Sequence, residues 1–130
     1  MPLTRVSMLQ GKPPAYRRAI LDSLYLAMRE TFGVPEDDRF MTIEELPPDN
    51  FLYGATYMGI ARSDDLVLVQ ITVSNTRGLA QKKALFARIA ERLAESPSLR
   101  PEDVFVNLLE TLPENWSFGH GLAQYAQKAG

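Results

Sequence analysis

Residues 34–40 read VPEDDRF, and residues 100–105 read RPEDVF. The two stretches lie about 65 residues apart. A second pair keeps the same offset: YRRAI at 16–20 and QKKAL at 81–85. Proline presets a turn backbone and the acidic residues after it bond back to the chain, so each Pro-Glu-Asp marks a turn. Each half of the chain reads strand, helix, turn, strand. The repeat is an internal β-α-β duplication, and it sets the architecture. A right-handed crossover makes the two strands of each unit parallel. Two such units joined edge to edge predict an α/β (α+β) fold: a four-stranded sheet with two helices on one face.

The elements around those turns follow from periodicity. LTRVSML (Leu3–Leu9) reads as the first strand. GKPP breaks it, and residues 15–32 place Ile20, Leu24, Ala27, Met28 and Phe32 on one helical face. Pro13 or Pro14 suits the first helical turn and Gly33 the position just past its end. A strand follows at about 39–46. Residues 47–65 are rich in Pro, Gly, Asp and Asn and read as a long connection, with a short strand near 57–60. LVLVQITVSN (66–75) is the strongest strand signal. Residues 76–96 form the second helix, with Leu85, Ile89, Ala90 and Leu93 inward, and residues 99–112 the last strand. The predicted organisation is one domain, 1–130: a first unit at about 2–46, the connection 47–65, a second unit at about 66–112 and a tail 113–130.

Leu66, Val67, Leu68, Val69, Ile71 and Val73 read as apolar on both faces of their strand. With both helices on one side, one such row is left bare, which predicts a closed homo-oligomer with inward-facing sheets.

Composition narrows the function. The 130 residues carry a net charge of −2, with 45% hydrophobic and 23% charged residues, so no basic surface recommends a nucleic-acid partner. There is no cysteine and one histidine, His120, which excludes thiolate chemistry and disfavours a metal centre. No apolar run approaches the ~18 residues of a membrane span, and no signal peptide is evident. The expectation is a cytoplasmic protein without cofactor, metal or membrane contact.

The first three residues, MPL, admit two readings. Proline lacks a donor and suits the start of an edge strand. If Met1 is removed, however, Pro2 becomes a free secondary amine. An α-amino group ordinarily titrates at about 7.7–8.0. An apolar pocket or nearby cations lower that value, which makes the amine a usable base or acid near neutrality.

The order and spacing of MPL, VPEDDRF, RSDDLVLVQIT (62–72), Arg77, RPEDVFVNL (100–108) and NWSFGHG (115–121) resemble the tautomerase superfamily. Within it, the chain looks like the malonate semialdehyde decarboxylase branch. The resemblance spans nearly the whole chain and implies a homotrimer with three active sites, each around an amino-terminal proline in an apolar pocket. It implies that Pro2 is the catalytic proline, that Asp38 acts beside it and that Arg77 is one of a pair of arginines. The other arginine falls near Asn75, so this chain lacks a second cation there. Trp116 and Phe118 match aromatic wall positions, giving Arg77, Asn75, Trp116 and Phe118 as the substrate-binding set.

The residues themselves leave alternatives open. Arg77 suits a carboxylate clamp or a solvated helix start. Asp38 suits a catalytic role or a backbone cap in its turn. Trp116 and Phe118 suit a pocket wall, the core or a subunit interface. Asp37 and Arg39 read as a local surface pair, and His120, between glycines, as exposed. Tyr53, Tyr57 and Tyr125 have no assigned role. Three functions follow: proton transfer on a small 2-oxo acid by Pro2, Asp38 and Arg77; decarboxylation or hydration of a small 3-oxo acid in the same pocket; or a non-catalytic trimer that binds a partner or metabolite.

Overall fold

The computed structural model describes residues 1–127; the last three residues of the predicted tail lie outside the described residues. The chain runs β1 (Leu3–Leu9), α1 (Pro14–Phe32), β2 (Phe40–Leu46), β3 (Val67–Ser74), α2 (Leu79–Glu95), β4 (Val104–Thr111) and a short α3 (Gln124–Gln127). The sheet order is β2-β1-β3-β4. β1 pairs parallel with β2 and β3 with β4, while β1 and β3 meet antiparallel. This is the duplicated unit expected from the repeat, joined through its two first strands.

α1 opens with Pro14, where a missing N–H costs nothing, and ends at Gly33 in the left-handed region at φ 65°. Its buried stripe, Ile20, Leu24, Ala27, Met28 and Phe32, meets Leu85, Ile89 and Leu93 of α2. Both stripes lie on Val6 and Met8 of β1 and Val67, Val69, Ile71 and Val73 of β3. Burying each large aliphatic side chain contributes about 1.5–3 kcal/mol, so this single layer holds the subunit together.

The strand faces differ from the sequence reading. Val69 and Ile71 are 2% and 0% exposed and belong to the core under the helices. The other row of β3 is Leu68, Gln70, Thr72 and Ser74, mostly polar. The run Leu66–Val69 looks doubly apolar because Leu66 precedes the strand and Leu68 alone continues the open row. A charge at Val69 or Ile71 therefore strikes the core, not an interface. The open face is instead a ladder of mixed rows: Phe40, Leu3, Thr72 and Leu109, then Thr42, Arg5, Gln70 and Asn107, then Glu44, Ser7, Leu68 and Phe105. Of its apolar members, Leu3, Phe40, Phe105 and Leu109 are more than 40% exposed and Leu68 is half-buried.

Two smaller expectations also change. The short strand near 57–60 is a single 3-10 turn at Tyr57–Gly59, since Met58 adopts a left-handed φ of 63° that no strand continues. Arg39 does not pair with the Asp37 side chain. Its guanidinium reaches Asp22 on α1 and lies 4.5 Å from the centre of the Tyr25 ring, because the turn aims it back along the helix. No helix among the described residues is long and apolar enough to cross a membrane.

Candidate active site at the amino terminus

Strand register brings four segments to one end of the sheet. Leu3 of β1 lies opposite Thr72 of β3, so two residues further Met1 comes against Ser74. Leu3 also lies beside Phe40 of β2, which brings the stretch before β2, with Asp38, beside Met1. Ser74 in turn pairs with Thr111 at the end of β4. The antiparallel joint between the duplicated units thus sets the starts of β1 and β2 against the ends of β3 and β4.

Pro2 is buried at the head of β1. That strand lies between β2 and β3, so the edge-strand reading of Pro2 fails. A central strand tolerates proline at its start, where no ladder bond is lost. In this structure the terminal amine belongs to Met1, and the Pro2 nitrogen is part of a peptide bond.

Asp38 is delivered by a tight turn. Asp37 takes a left-handed φ of 69°, and the Asp38 N–H donates to the Pro35 carbonyl at 3.2 Å. Aspartate is among the few residues other than glycine that visit this backbone region routinely. Arg77 follows β3 just before Gly78, the N-cap of α2. Its Nη2 donates to the Phe32 carbonyl at 2.9 Å, and its guanidinium lies 4.8 Å from the centre of the Phe32 ring. That anchor is the one hydrogen bond of the Arg77 guanidinium among the described residues, and its other N–H groups stay available.

The three charges act on one another. Burial holds the terminal amine below its ordinary value; the Asp38 charge opposes this and the Arg77 charge adds to it. Burial pushes the Asp38 carboxyl up, while the amine and Arg77 pull it down.

A cavity of about 460 Å³ opens beside the amine, lined by Met1, Pro2, Leu3, Phe40, Thr72, Thr111, Asn115, Trp116, Ser117 and Phe118. Trp116 and Phe118 stack at 5.8 Å, and Tyr125 of α3 meets Phe118 edge-on at 4.8 Å. Gln124 pins this wall, accepting from the Phe118 N–H at 3.0 Å and donating to the Gly119 carbonyl at 2.9 Å. A second cavity of about 330 Å³ shares Met1 and is lined by Ser74, Thr76, Arg77, Pro113 and Tyr125.

Four buried polar side-chain atoms lack a hydrogen-bond partner among the described residues: Asp38 Oδ1, Ser74 Oγ, Trp116 Nε1 and Arg92 Nε. The first three gather around the amino terminus. Each such orphan costs about 1–3 kcal/mol, so their clustering marks a place prepared for something polar.

Of the residues singled out in the sequence, Pro2, Asp38, Arg77, Trp116 and Phe118 converge on this end. Asn75 does not. It is exposed, lines neither cavity, and its N–H donates to the Thr111 carbonyl at 2.9 Å. His120 is exposed, at a left-handed φ of 61°. Tyr53 donates to Asp64 at 2.7 Å at the far end of the sheet, where Leu52, Tyr53, Tyr57 and Arg62 line another cavity with Leu66, Leu68 and Phe105. Among the described residues no cluster of histidine, aspartate and glutamate is arranged to hold a metal ion.

The sequence reading missed Phe40, Thr72, Ser74, Thr111 and Tyr125. One signal was present. PDNFLYG (48–54) and PENWSFG (113–119) repeat at the same offset, each holding a 3-10 turn and then an aromatic pair; Phe51 and Tyr53 lie 5.9 Å apart. The duplication therefore includes the aromatic wall.

Comparison with known proteins agrees with this geometry. Two family profiles, each described as tautomerase enzyme, match residues 2–61 and 38–119. The chain is 34% identical to "Probable tautomerase YusQ" of Bacillus subtilis (strain 168), over 95% of this chain and 98% of that protein. It is 30% identical to "Probable tautomerase YrdN" of the same organism, over 96% of each. Among solved structures, a malonate semialdehyde decarboxylase, described with decarboxylase and hydratase activities, superposes with a TM-score of 0.91 at 30% identity and 98% coverage of both chains. A fused 4-OT wild-type symmetric trimer superposes with a TM-score of 0.77 at 25% identity, over 95% of this chain and 98% of that one. The chain is an enzyme of the tautomerase superfamily and belongs to its malonate semialdehyde decarboxylase-like branch.

Proposed function

We propose that this enzyme interconverts the keto and enol forms of a small 2-oxo acid, with Pro2 as the proton carrier once Met1 has been removed. The observation that carries the reading is the convergence of the amine, Asp38 and Arg77 beside an aromatic-walled cavity. Neutral Pro2 takes the proton α to the carbonyl, and the same proton returns at the enol oxygen. Arg77 holds the carboxylate and offsets the charge that develops on the enolate. Asp38 orients Pro2 and the substrate carbonyl. Trp116 and Phe118 keep the site dry, which disfavours the protonated amine. Asn75, outside both cavities, has no part in this reading.

The pH dependence follows from those charges. The Met1 amine is held below its ordinary value by burial. Pro2, one residue further in and buried, is expected to be lowered in the same direction once freed, giving kcat/KM that rises with pH and then levels off. The Asp38 charge raises the amine, so in Asp38→Asn the ascending limb is expected to move to lower pH, with kcat down roughly tenfold or more. The carboxyl is pushed up in the folded state, so its contribution to stability is full below its unfolded value and lost as pH rises through its folded one. Asp38→Asn is therefore expected to melt above the wild type at pH 7, the gap closing below about pH 3.9. Rate profiles and melting curves of the two proteins check both; a variant whose pH limb does not move removes Asp38 from the site.

A second reading is decarboxylation or hydration of a small 3-oxo acid, favoured by the likeness to malonate semialdehyde decarboxylase. There Pro2 works as the cation, so kcat/KM falls with rising pH and its amine titrates above 8. The burial of Pro2 at the head of β1 supports the base, since burial disfavours a charged amine.

We also propose that the chain acts as one domain and assembles as a homotrimer through the open sheet face. The exposed Leu3, Phe105 and Leu109 support this, as does the trimeric form of the 4-OT neighbour. Light scattering is expected to give three times the chain mass of 14.6 kDa. Leu109→Glu is expected to release monomers that keep their helical signal; a monomeric wild type at micromolar concentration refutes the assembly.

A further inference from the structure

The two cavities that meet at Met1 differ in chemistry. The larger has an apolar wall of Pro2, Leu3, Phe40, Trp116 and Phe118, with Thr72, Thr111, Asn115 and Ser117 as its uncharged polar members. Among the described residues the smaller is lined by one cationic side chain, Arg77, by the hydroxyl-bearing Ser74, Thr76 and Tyr125, and by no carboxylate side chain. Two facts concern its hydroxyls. Ser74 is 4% exposed at the end of β3, and its Oγ has no hydrogen-bond partner among the described residues. Thr111, its neighbour in register, spends its hydroxyl on the Val73 carbonyl at 3.2 Å, so it leaves Ser74 without a partner. Tyr125 is held by the Phe118 ring, which fixes the phenol against this cavity. Burial and then the Asp38 charge push the phenol's pKa up, with Arg77 opposing, so the hydroxyl stays a donor at neutral pH.

A planar carboxylate has about four acceptor sites. Arg77 fills at most one edge, since one of its N–H groups is already spent on Phe32. We propose that Ser74 and Tyr125 bind the substrate carboxylate beside Arg77, two neutral donors serving where a second cation is absent, and so set the preference for a carboxylate over a neutral group in this chamber. The inference rests on the reading of Arg77 as the carboxylate clamp. It also explains why Asn75, facing solvent, need not be replaced by a charge.

The test uses benzoylformate, a 2-oxo acid with no enolisable hydrogen, and its methyl ester, titrated calorimetrically into the otherwise full-length protein with Met1 removed, its terminus established by intact mass. Wild type is expected to bind the acid more tightly than the ester. Tyr125→Phe keeps the ring on Phe118 and removes the hydroxyl; it is expected to weaken the acid about tenfold and leave the ester within about twofold, the size of one hydrogen bond to a charged group. Ser74→Ala, on a different element, is expected to do the same. Unchanged acid affinity in both variants overturns the proposal. So does an equal loss for acid and ester, which marks a structural role, and so does a wild type that does not prefer the acid. Turnover of an enolisable 2-oxo acid is measured on the same proteins. Its absence refutes the proton-transfer reading of Pro2 without touching these binding ratios.

Discussion

A chain whose Pro2 nitrogen is held in an amide is expected to lose about 10²–10⁴-fold in 2-oxo acid tautomerisation, the usual range for a positioned acid or base, while keeping its fold. An amide nitrogen neither accepts nor carries a proton at neutral pH. Met1 also lines both cavities, so a retained methionine fills part of the room a substrate needs. Its own amine is displaced by one residue from the place Pro2 would hold, and a proton-transfer partner misplaced by even 1 Å costs heavily. Three proteins separate the effects: the chain with Met1 removed, the chain with one residue inserted between Met1 and Pro2, and Pro2→Ala with Met1 removed. Intact mass establishes each terminus. The inserted chain is expected to be folded and nearly inactive. Pro2→Ala retains a primary amine, so part of the activity survives with a shifted pH profile. β1 begins at Leu3, and the core residues Val6 and Met8 lie further in, so melting temperatures are expected to change little. An inserted chain as active as the processed one assigns the chemistry elsewhere.

The fold was legible because the two halves state it twice. Pro-Glu-Asp at 35–37 and 101–103 punctuates each unit, and Ile20, Leu24, Met28 and Leu85, Ile89, Leu93 keep a clean helical spacing. Strand faces were less legible. Consecutive apolar residues at 66–69 carry no alternation, so periodicity cannot tell a core row from an open one; only the pairing of Val69 with Val6 and Val106 shows which side lies under the helices.

The site divides along the same line. Pro2, Asp38 and Arg77 stood out because their types and positions carry chemistry. Thr72, Ser74 and Thr111 are ordinary strand residues whose place beside the amine comes from register across the strands, which no local pattern records. Tyr125 sits in a tail with no periodicity, and its place is set by Phe118 and Gln124. Asn75 differs: in sequence it is two residues from Arg77, but it is exposed and lines neither cavity, while its N–H donates to the Thr111 carbonyl.

Arg77→Ala is expected to lower kcat/KM for a 2-oxo acid by about 10²–10³-fold, the loss seen when one charge-stabilising donor is removed. Two contributions must be separated, because Arg77 is also a structural contact. Its guanidinium closes the end of α1 through the Phe32 carbonyl and covers the Phe32 ring. Arg77→Lys resolves them. An ammonium on a flexible stem can still reach the carbonyl and still supplies a positive charge, so stability is expected to stay near wild type. It does not present a planar fork, so carboxylate binding recovers only in part. The amine supplies a further readout. The Arg77 charge lowers it, so removing that charge raises its pKa and moves the ascending limb of kcat/KM to higher pH in Arg77→Ala but not in Arg77→Lys. A neutral ester substrate completes the set: it gains nothing from the clamp, so its turnover is expected to lose only what Arg77 gives the enolate and what the pH shift takes, a smaller loss than the acid's. Equal losses for acid and ester in Arg77→Ala, without a shifted limb, reduce Arg77 to the anchor of α1.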